Sequence, residues 1–208
     1  MTVHDWDQRF SAEALPYGTA PNDFVVAQAG AIPPGPVLCL AEGHGRNAIW
    51  LAERGHAVTA VEQSGVGIAR GRALAAERGA VVAFVQDDLA QFDMGEGKWG
   101  GIVSIFAHLP PALRRDVHAR VVRALAPGGV FILEAYTPAQ LALGTGGPRD
   151  AELLMTRDAL VRELDGLEFV VARELEREVA EGSMHRGTSS VVQVVARKRG
   201  TSPHRDQP

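Results

Sequence analysis

Val37-Leu38-Cys39-Leu40-Ala41-Glu42-Gly43-His44-Gly45-Arg46-Asn47-Ala48 decides how the rest of the chain is read. Four apolar residues predict a buried strand. Gly43 and Gly45 predict a tight turn with close backbone approach, and Arg46 onward predicts a helix start. A ligand of nucleotide type can lie over such a turn. The carboxylate of Glu42 lies inside it.

Outward from this stretch, strands and helices alternate. Strands are predicted at Ala57 to Val61, Val81 to Val85, Gly101 to Phe106 and Val130 to Glu134. Helices are predicted at Asn47 to Arg54, Gly65 to Arg78 and Pro111 to Leu125, the last stopped by Pro127-Gly128-Gly129. The strands are continuous apolar runs, as a parallel sheet covered on both faces requires. A helix at Thr156 to Leu164 follows a glycine-rich loop. Strands at Glu168 to Glu174 and Ser190 to Arg197 are joined by Glu181 to Gly187, too short for a crossover helix, so they pair antiparallel. Upstream, Thr2 to Pro16 reads as a helical segment anchored by Trp6 and Phe10. Asp23 to Ala31 reads as a short helix capped by Asn22 or Asp23. The expected layout is a lid over 1–35, a doubly wound α/β domain over 36–198, and a disordered tail over 199–208.

Composition narrows the function classes. The 208 residues are 46% hydrophobic and 22% charged, with a net charge of -4, which gives no basic footprint for nucleic acid. The lone cysteine, Cys39, sits in an apolar run and excludes an intrachain disulfide. No apolar run reaches the ~20 residues of a membrane span. The polar opening, Met1 to Phe10, lacks a signal region, so the expected location is cytoplasmic. No metal-ligand spacing stands out.

Acids follow three successive predicted strands: Glu42, Glu62, and the Asp87-Asp88 pair. Glu62 lies about 20 residues beyond the turn, where a carboxylate accepts from ribose hydroxyls. Asp88 is placed for an adenine amine, with the Leu89 amide for a ring nitrogen. Gly43 to Ala48 also fits the loose dinucleotide pattern. A diphosphate there would meet Glu42, and like charges ~4 Å apart repel by on the order of 1 kcal/mol in water. S-adenosylmethionine (SAM) brings a cationic sulfonium instead, and its own carboxylate suits Arg46 or the helix N-terminus. Charge favours SAM over NAD.

Leu40 to Asn47, Val61-Glu62-Gln63-Ser64, Asp87-Asp88-Leu89, His108-Leu109-Pro110 and Leu125 to Gly129 together resemble class I SAM-dependent methyltransferases. The nearest look is to the small bacterial group of tellurite-resistance and thiopurine methyltransferases, whose N-terminal segment Trp6 to Phe10 and Tyr17 to Asn22 also resemble. The resemblance implies a Rossmann-like seven-stranded sheet with an antiparallel last strand. With it, SAM is expected to be held by Glu42, Gly43, Gly45, Arg46, Asn47, Glu62, Gln63, Asp88 and Leu89, and Phe106 either packs against it or is a plain core residue. The acceptor it implies is a small soft nucleophile such as a thiol, selenite or tellurite. His108, Tyr136 and Tyr17 are the candidate catalytic or pocket-lining residues. His185 and Arg186 form either an anion-binding pair or a solvated turn, the latter favoured. Arg114, Arg115, Arg120 and Arg123 read as the wet face of one helix, and His118 as structural or solvent-facing. An NAD-dependent oxidoreductase and a non-catalytic SAM-binding module are the competing readings, with no nucleic-acid or membrane partner and a monomer or homodimer.

Overall fold

The computed structural model describes residues 3–12 and 15–200. In chain order the elements are α1 (Val3–Phe10), α2 (Asp23–Gln28), β1 (Val37–Leu40), α3 (Arg46–Ala52), β2 (Val58–Glu62), α4 (Gly65–Glu77), β3 (Val82–Gln86) and β4 (Trp99–Ile105). There follow α5 (Pro111–Ala124), β5 (Leu125–Tyr136), α6 (Gln140–Leu143), α7 (Arg157–Glu163), β6 (Leu167–Glu181) and β7 (His185–Lys198). One seven-stranded sheet has the order β3-β2-β1-β4-β5-β7-β6. The first five strands run parallel, and β7 runs antiparallel to both β5 and β6. The doubly wound sheet with an antiparallel last strand is therefore as expected from sequence.

Local chemistry explains the helix starts. The Asn22 side chain accepts from the Phe24 and Val25 amides at 3.0 and 3.1 Å, opening α2. Ser64 Oγ accepts from Gly67 N to open α4, and Thr156 Oγ1 from Ala159 N to open α7. Apolar side chains fill both faces of the sheet. Leu38, Leu40, Ile102, Phe131 and Leu133 pack to one side, and Val37, Cys39, Val103, Val130 and Ile132 to the other. The Cys39 thiol is fully buried, and burial pushes its pKa up.

Several readings are corrected. The helix expected over Thr2 to Pro16 ends at Phe10; Thr2 itself, like residues 201–208 of the expected tail, lies outside the described residues. Pro127-Gly128-Gly129 does not stand between helix and strand. It is absorbed into the start of β5, where pairing jumps from Trp99–Leu125 to Gly101–Val130. The last two strands are far longer than predicted, with only 182–184 between them. In β6 charged and apolar residues alternate, as in a strand with one wet face, whereas Ser189 to Ala196 of β7 are buried without a break. Arg114 is not on a wet face: it is 7% exposed and grips Glu163, which also accepts from His118 Nδ1 at 2.7 Å. Burial pushes the Glu163 carboxyl up, but those bonds outweigh it and hold it at about 2.

Candidate functional site

The sheet order reverses between β1 and β4, and ligands of such folds bind beyond the strand ends at that point. Backbone strain marks the same place. Ala41 (φ 48°) and Phe106 (φ 53°) follow β1 and β4, and they are the non-glycine residues with left-handed backbone among those described. Such conformations cost of order 1–3 kcal/mol and collect at functional sites. Gly43 (φ 63°) completes the turn, and a Cβ there would stand 2.8 Å from the Phe10 ring. Gly45 (φ 83°) precedes α3.

Each acid of the turn is already engaged with backbone. Glu42 Oε1 accepts from the Asn47 and Ala48 amides at 2.9 Å each. Burial raises this carboxyl to about 7, against those bonds and Arg46. Glu42 therefore caps α3, its carboxylate occupying two of the amides at the start of that helix. Glu62 Oε2 accepts from Gly43 N and Oε1 from Ser64 N, both at 2.9 Å. Burial raises the Glu62 pKa, the amide bonds oppose the rise, and Asp7 adds to it.

The other candidates divide between the turn and its surroundings. Arg46 is buried, donating to Glu181 at 2.5 Å and to the Ala20 carbonyl at 3.1 Å. Asn47 Oδ1 accepts from Asn22 N. Gln63 is half-buried and its carbonyl accepts from Gln86 Nε2. Asp88 is exposed past the end of β3, beside the end of β2 where Glu62 lies; its carboxylate accepts from Ala90 N at 2.9 Å. Leu89 is buried in the core.

The N-terminal segment folds over this rim. Asp7 Oδ1 accepts from Ser64 Oγ at 2.5 Å, and Arg70 donates to the Phe10 carbonyl at 2.8 Å. Phe10 stacks on Trp6 and touches the Gly43 turn. Arg9 donates to the Tyr17 hydroxyl at 3.0 Å. His44 Nε2–H donates to the Gly18 carbonyl at 2.5 Å, which leaves Nδ1 as a bare lone pair.

Beside the turn, rings from four parts of the chain meet. Phe106 stacks on Tyr136 with centroids 4.5 Å apart, and His108 lies parallel to Tyr136 at 5.6 Å. His185 stands on edge to Phe106 and Tyr136, at 4.7 and 5.3 Å, and Tyr17 leans on His185 at 4.7 Å. His108 Nδ1–H donates to the Leu153 carbonyl at 3.0 Å, and Nε2 faces the Tyr136 amide at 3.5 Å. Burial lowers the imidazoles of His44 and His108 to about 4 and that of His185 to about 3, so all three are neutral at pH 7. The structure thus brings Tyr17, Phe106, His108 and Tyr136 together. His185 joins them, 8% exposed, which corrects the solvated-turn reading; Arg186 faces outward.

Sequence reasoning missed the polar network that joins these segments. Glu134 is fully buried, accepting from Arg177 at 2.6 and 2.8 Å, Gln193 at 2.7 Å and Asn22 at 2.6 Å. Glu181 accepts from Asn22, Arg177 and Arg46. The guanidinium of Arg177 is held charged, its pKa raised by Glu134 and Glu181 against burial. One signal was available: an acid in the apolar run Ile132-Leu133-Glu134-Ala135 demands a buried partner.

Residues 37–129 match the family model of a methyltransferase domain. Over 117 residues it is 32% identical to a 2-heptyl-1-hydroxyquinolin-4(1H)-one methyltransferase of Mycobacteroides abscessus, a match covering 55% of this chain and 52% of that protein. The chain thus spans about half the length of this curated relative. A protein solved in work on the conversion of a disulfide bond into a thioacetal group during echinomycin biosynthesis superposes with a TM-score of 0.75 at 20% identity, over 97% of this chain and 91% of that one. TehB from Haemophilus influenzae superposes with a TM-score of 0.72 at 21% identity, over 89% and 65%. At such identities the likeness is one of fold, and the methyltransferase fold is the one the sheet order describes. No helix among the described residues is long and apolar enough to cross a membrane.

Proposed function

We propose that the chain is a SAM-dependent methyltransferase of small molecules, with the donor over the Gly43–Gly45 turn and the acceptor in the ring-lined chamber. The observation that carries this reading is the state of the two carboxylates. Each Glu62 oxygen spends one lone pair on an amide and keeps another, which suits the two hydroxyls of a ribose. Glu42 meanwhile fills the amide nest that a diphosphate would need.

The residues fit SAM in further respects. Asp88, past the strand next to Glu62, suits the adenine amine, with the Leu89 amide beside it. The buried lone pair of His44 Nδ1, without a partner, suits an ammonium N–H. Gln63, Asn47 and Phe106 follow β2, the glycine turn and β4 at the same sheet edge, while Arg46 is already engaged by Glu181 and the Ala20 carbonyl. When bound, SAM supplies a methyl carbon on a cationic sulfur, which keeps the bonding electron pair as the acceptor's lone pair forms the new bond. The chain's own work is to hold the acceptor in line and keep water out. α1 serves as the lid: it leaves the Gly43 turn for exchange and returns to seal it. His108, neutral and with its Nε2 lone pair only weakly engaged at 3.5 Å, is the group placed to assist loss of an acceptor proton.

For the acceptor, a neutral nucleophile suits a chamber of neutral imidazoles. A thiol or a ring hydroxyl meets that condition, and the relative from Mycobacteroides abscessus is named for a hydroxylated ring. Selenite and tellurite carry charge, whereas Arg46 and Arg177 are already paired with Glu181 and Glu134. The test is label transfer from methyl-labelled SAM across thiols, selenite, tellurite and hydroxylated heterocycles. Labelled product supports the reading. SAM binding with no product from any acceptor points to a binding module, and binding of NADH in place of SAM points to an oxidoreductase.

A further inference from the structure

The sheet ends in two edges of opposite character, β3 on one side and β6 on the other. β6 is long and dense in charge, with Glu168, Arg173, Glu174, Glu176, Arg177 and Glu178 along it. Charged side chains are a common guard of an open strand edge. They also oppose self-pairing. In an antiparallel pair of β6 strands centred on Leu175 or Glu176, Glu174 would face Glu176 or Glu178 of the other copy, and like charges directly opposite are destabilising. β3 has no such guard. Gly79-Ala80-Val81-Val82-Ala83-Phe84-Val85-Gln86 carries no charge at all. Val81 is 87% exposed, and Ala83 is exposed as well.

The backbone of this edge is open too. Asp87 N donates inward, to the Glu62 carbonyl of β2. Successive residues of a strand turn their backbone groups to opposite sides. Ala83 and Val85 therefore also face β2, while Val82, Phe84 and Gln86 turn their N–H and C=O groups outward. The Arg72 guanidinium meets the outward Phe84 carbonyl at 3.3 Å, longer than the usual hydrogen bond. Its side chain is exposed and can swing aside.

We infer that β3 pairs antiparallel with β3 of a second copy of this chain, about a two-fold axis at Ala83, and so joins the two sheets into one. The register follows from the residues. A two-fold axis perpendicular to the sheet keeps each side chain on its own face. Val81 then meets Val85 of the other copy on one face, and Val82 meets Phe84 on the other. Both contacts are apolar, and the second is a β-branched residue against an aromatic one, a favourable cross-strand pair. The outward groups of Val82 and Phe84 exchange hydrogen bonds with those of Phe84 and Val82 on either side of the axis. Ala83 faces Ala83 at the axis itself, where the small side chains allow close approach. The strand thus matches its own copy over its whole length, with no charge set against an apolar group. Growth stops at two copies, because the contact is closed by its symmetry and the far edge, β6, repels its like. This goes beyond the methyltransferase reading and does not depend on it.

Sedimentation equilibrium of the full chain tests the pairing. At about 100 μM the parent should show twice the 22.2 kDa mass of the chain, and dilution should separate the copies. Ala83→Glu sets two carboxylates face to face at the axis and should raise the dissociation constant about 10-fold or more. Ala83→Lys should do the same with two ammonium groups. An equimolar mixture of the two variants should recover the dimer, because opposite charges then meet. Ala83 is exposed, so both variants should keep the far-UV spectrum of the parent. Amide exchange supplies a second reading. Raising the concentration should slow exchange at Val82, Phe84 and Gln86 and leave Ala83 and Val85, already bonded to β2, unchanged. A parent that stays monomeric at that concentration, a dimer indifferent to Ala83→Glu, or a mixture no tighter than its components would overturn the inference.

Discussion

The two halves of the C-terminal sheet edge are built on opposite plans. At the donor turn, carboxylates are satisfied by backbone amides within a few residues or one strand: Glu42 by Asn47 and Ala48, Glu62 by Gly43 and Ser64. In the ring cluster beside it, contacts join distant parts of the chain. Tyr17 meets His185, Asn22 meets Glu134 and Glu181, and Tyr136 Oη and His185 Nδ1 have no hydrogen-bond partner among the described residues. A site for a common donor can be rigid and locally specified. The ring cluster depends on tertiary packing between segments far apart in sequence.

Glu134→Ala should break the chamber's foundation. It removes the acceptor of two Arg177 bonds and of the Asn22 and Gln193 amides from a fully buried position. Stripping one partner from a buried pair costs about 3 kcal/mol or more. Urea titration should show that loss, and a shift under about 0.5 kcal/mol would mean that the network does not hold the two halves together.

His185 sharpens the contrast through pH. Burial, then Arg46, His108, Arg9 and Arg177, press its imidazole down to about 3, against 6.5 in an open chain. The fold therefore keeps it neutral while the unfolded chain takes a proton below pH 6.5. Its stabilising contribution is complete above 6.5 and is lost as the pH falls toward 3. At pH 5 this amounts to at most about 2 kcal/mol. Compared with the parent, His185→Asn should gain up to that amount in relative stability between pH 7 and pH 5. Parallel pH curves for the two proteins would place His185 in contact with water.

Gly43→Ala probes the donor half with a smaller effect. A methyl group there forces a left-handed residue and presses on the Phe10 ring, at a cost of about 1 kcal/mol. The strain should show as faster amide exchange in α1 with α5 unaffected. Protection unchanged throughout α1 would detach the lid from the turn.

The same division explains what the sequence revealed. β1 and α4 are read to within one residue, because apolar runs, glycines and caps are local signals. β6 is underestimated because Arg173 to Glu178 is dense in charge, and only pairing with β7 makes it a strand. Among the site residues, Glu42 and Glu62 announce themselves beside the glycine turn. What they bond to does not, since a carboxylate at a strand end serves a helix cap and a ligand equally well. His185 looks like a wet turn in Ser183-Met184-His185-Arg186, because a polar ring shows its burial only once Tyr17, Phe106 and Tyr136 have packed around it.

The claim on which the account rests is that the Glu62 carboxylate, set on the floor of the glycine turn, receives the ribose of SAM. Calorimetry of S-adenosylhomocysteine and NADH against the parent and Glu62→Ala tests it directly. The account predicts binding of S-adenosylhomocysteine by the parent, no heat from NADH, and a loss of ~1.5–3 kcal/mol in the variant, the scale of hydrogen bonds to a charged group. Equal affinity in parent and variant, or NADH bound in place of the sulfur compound, would contradict it.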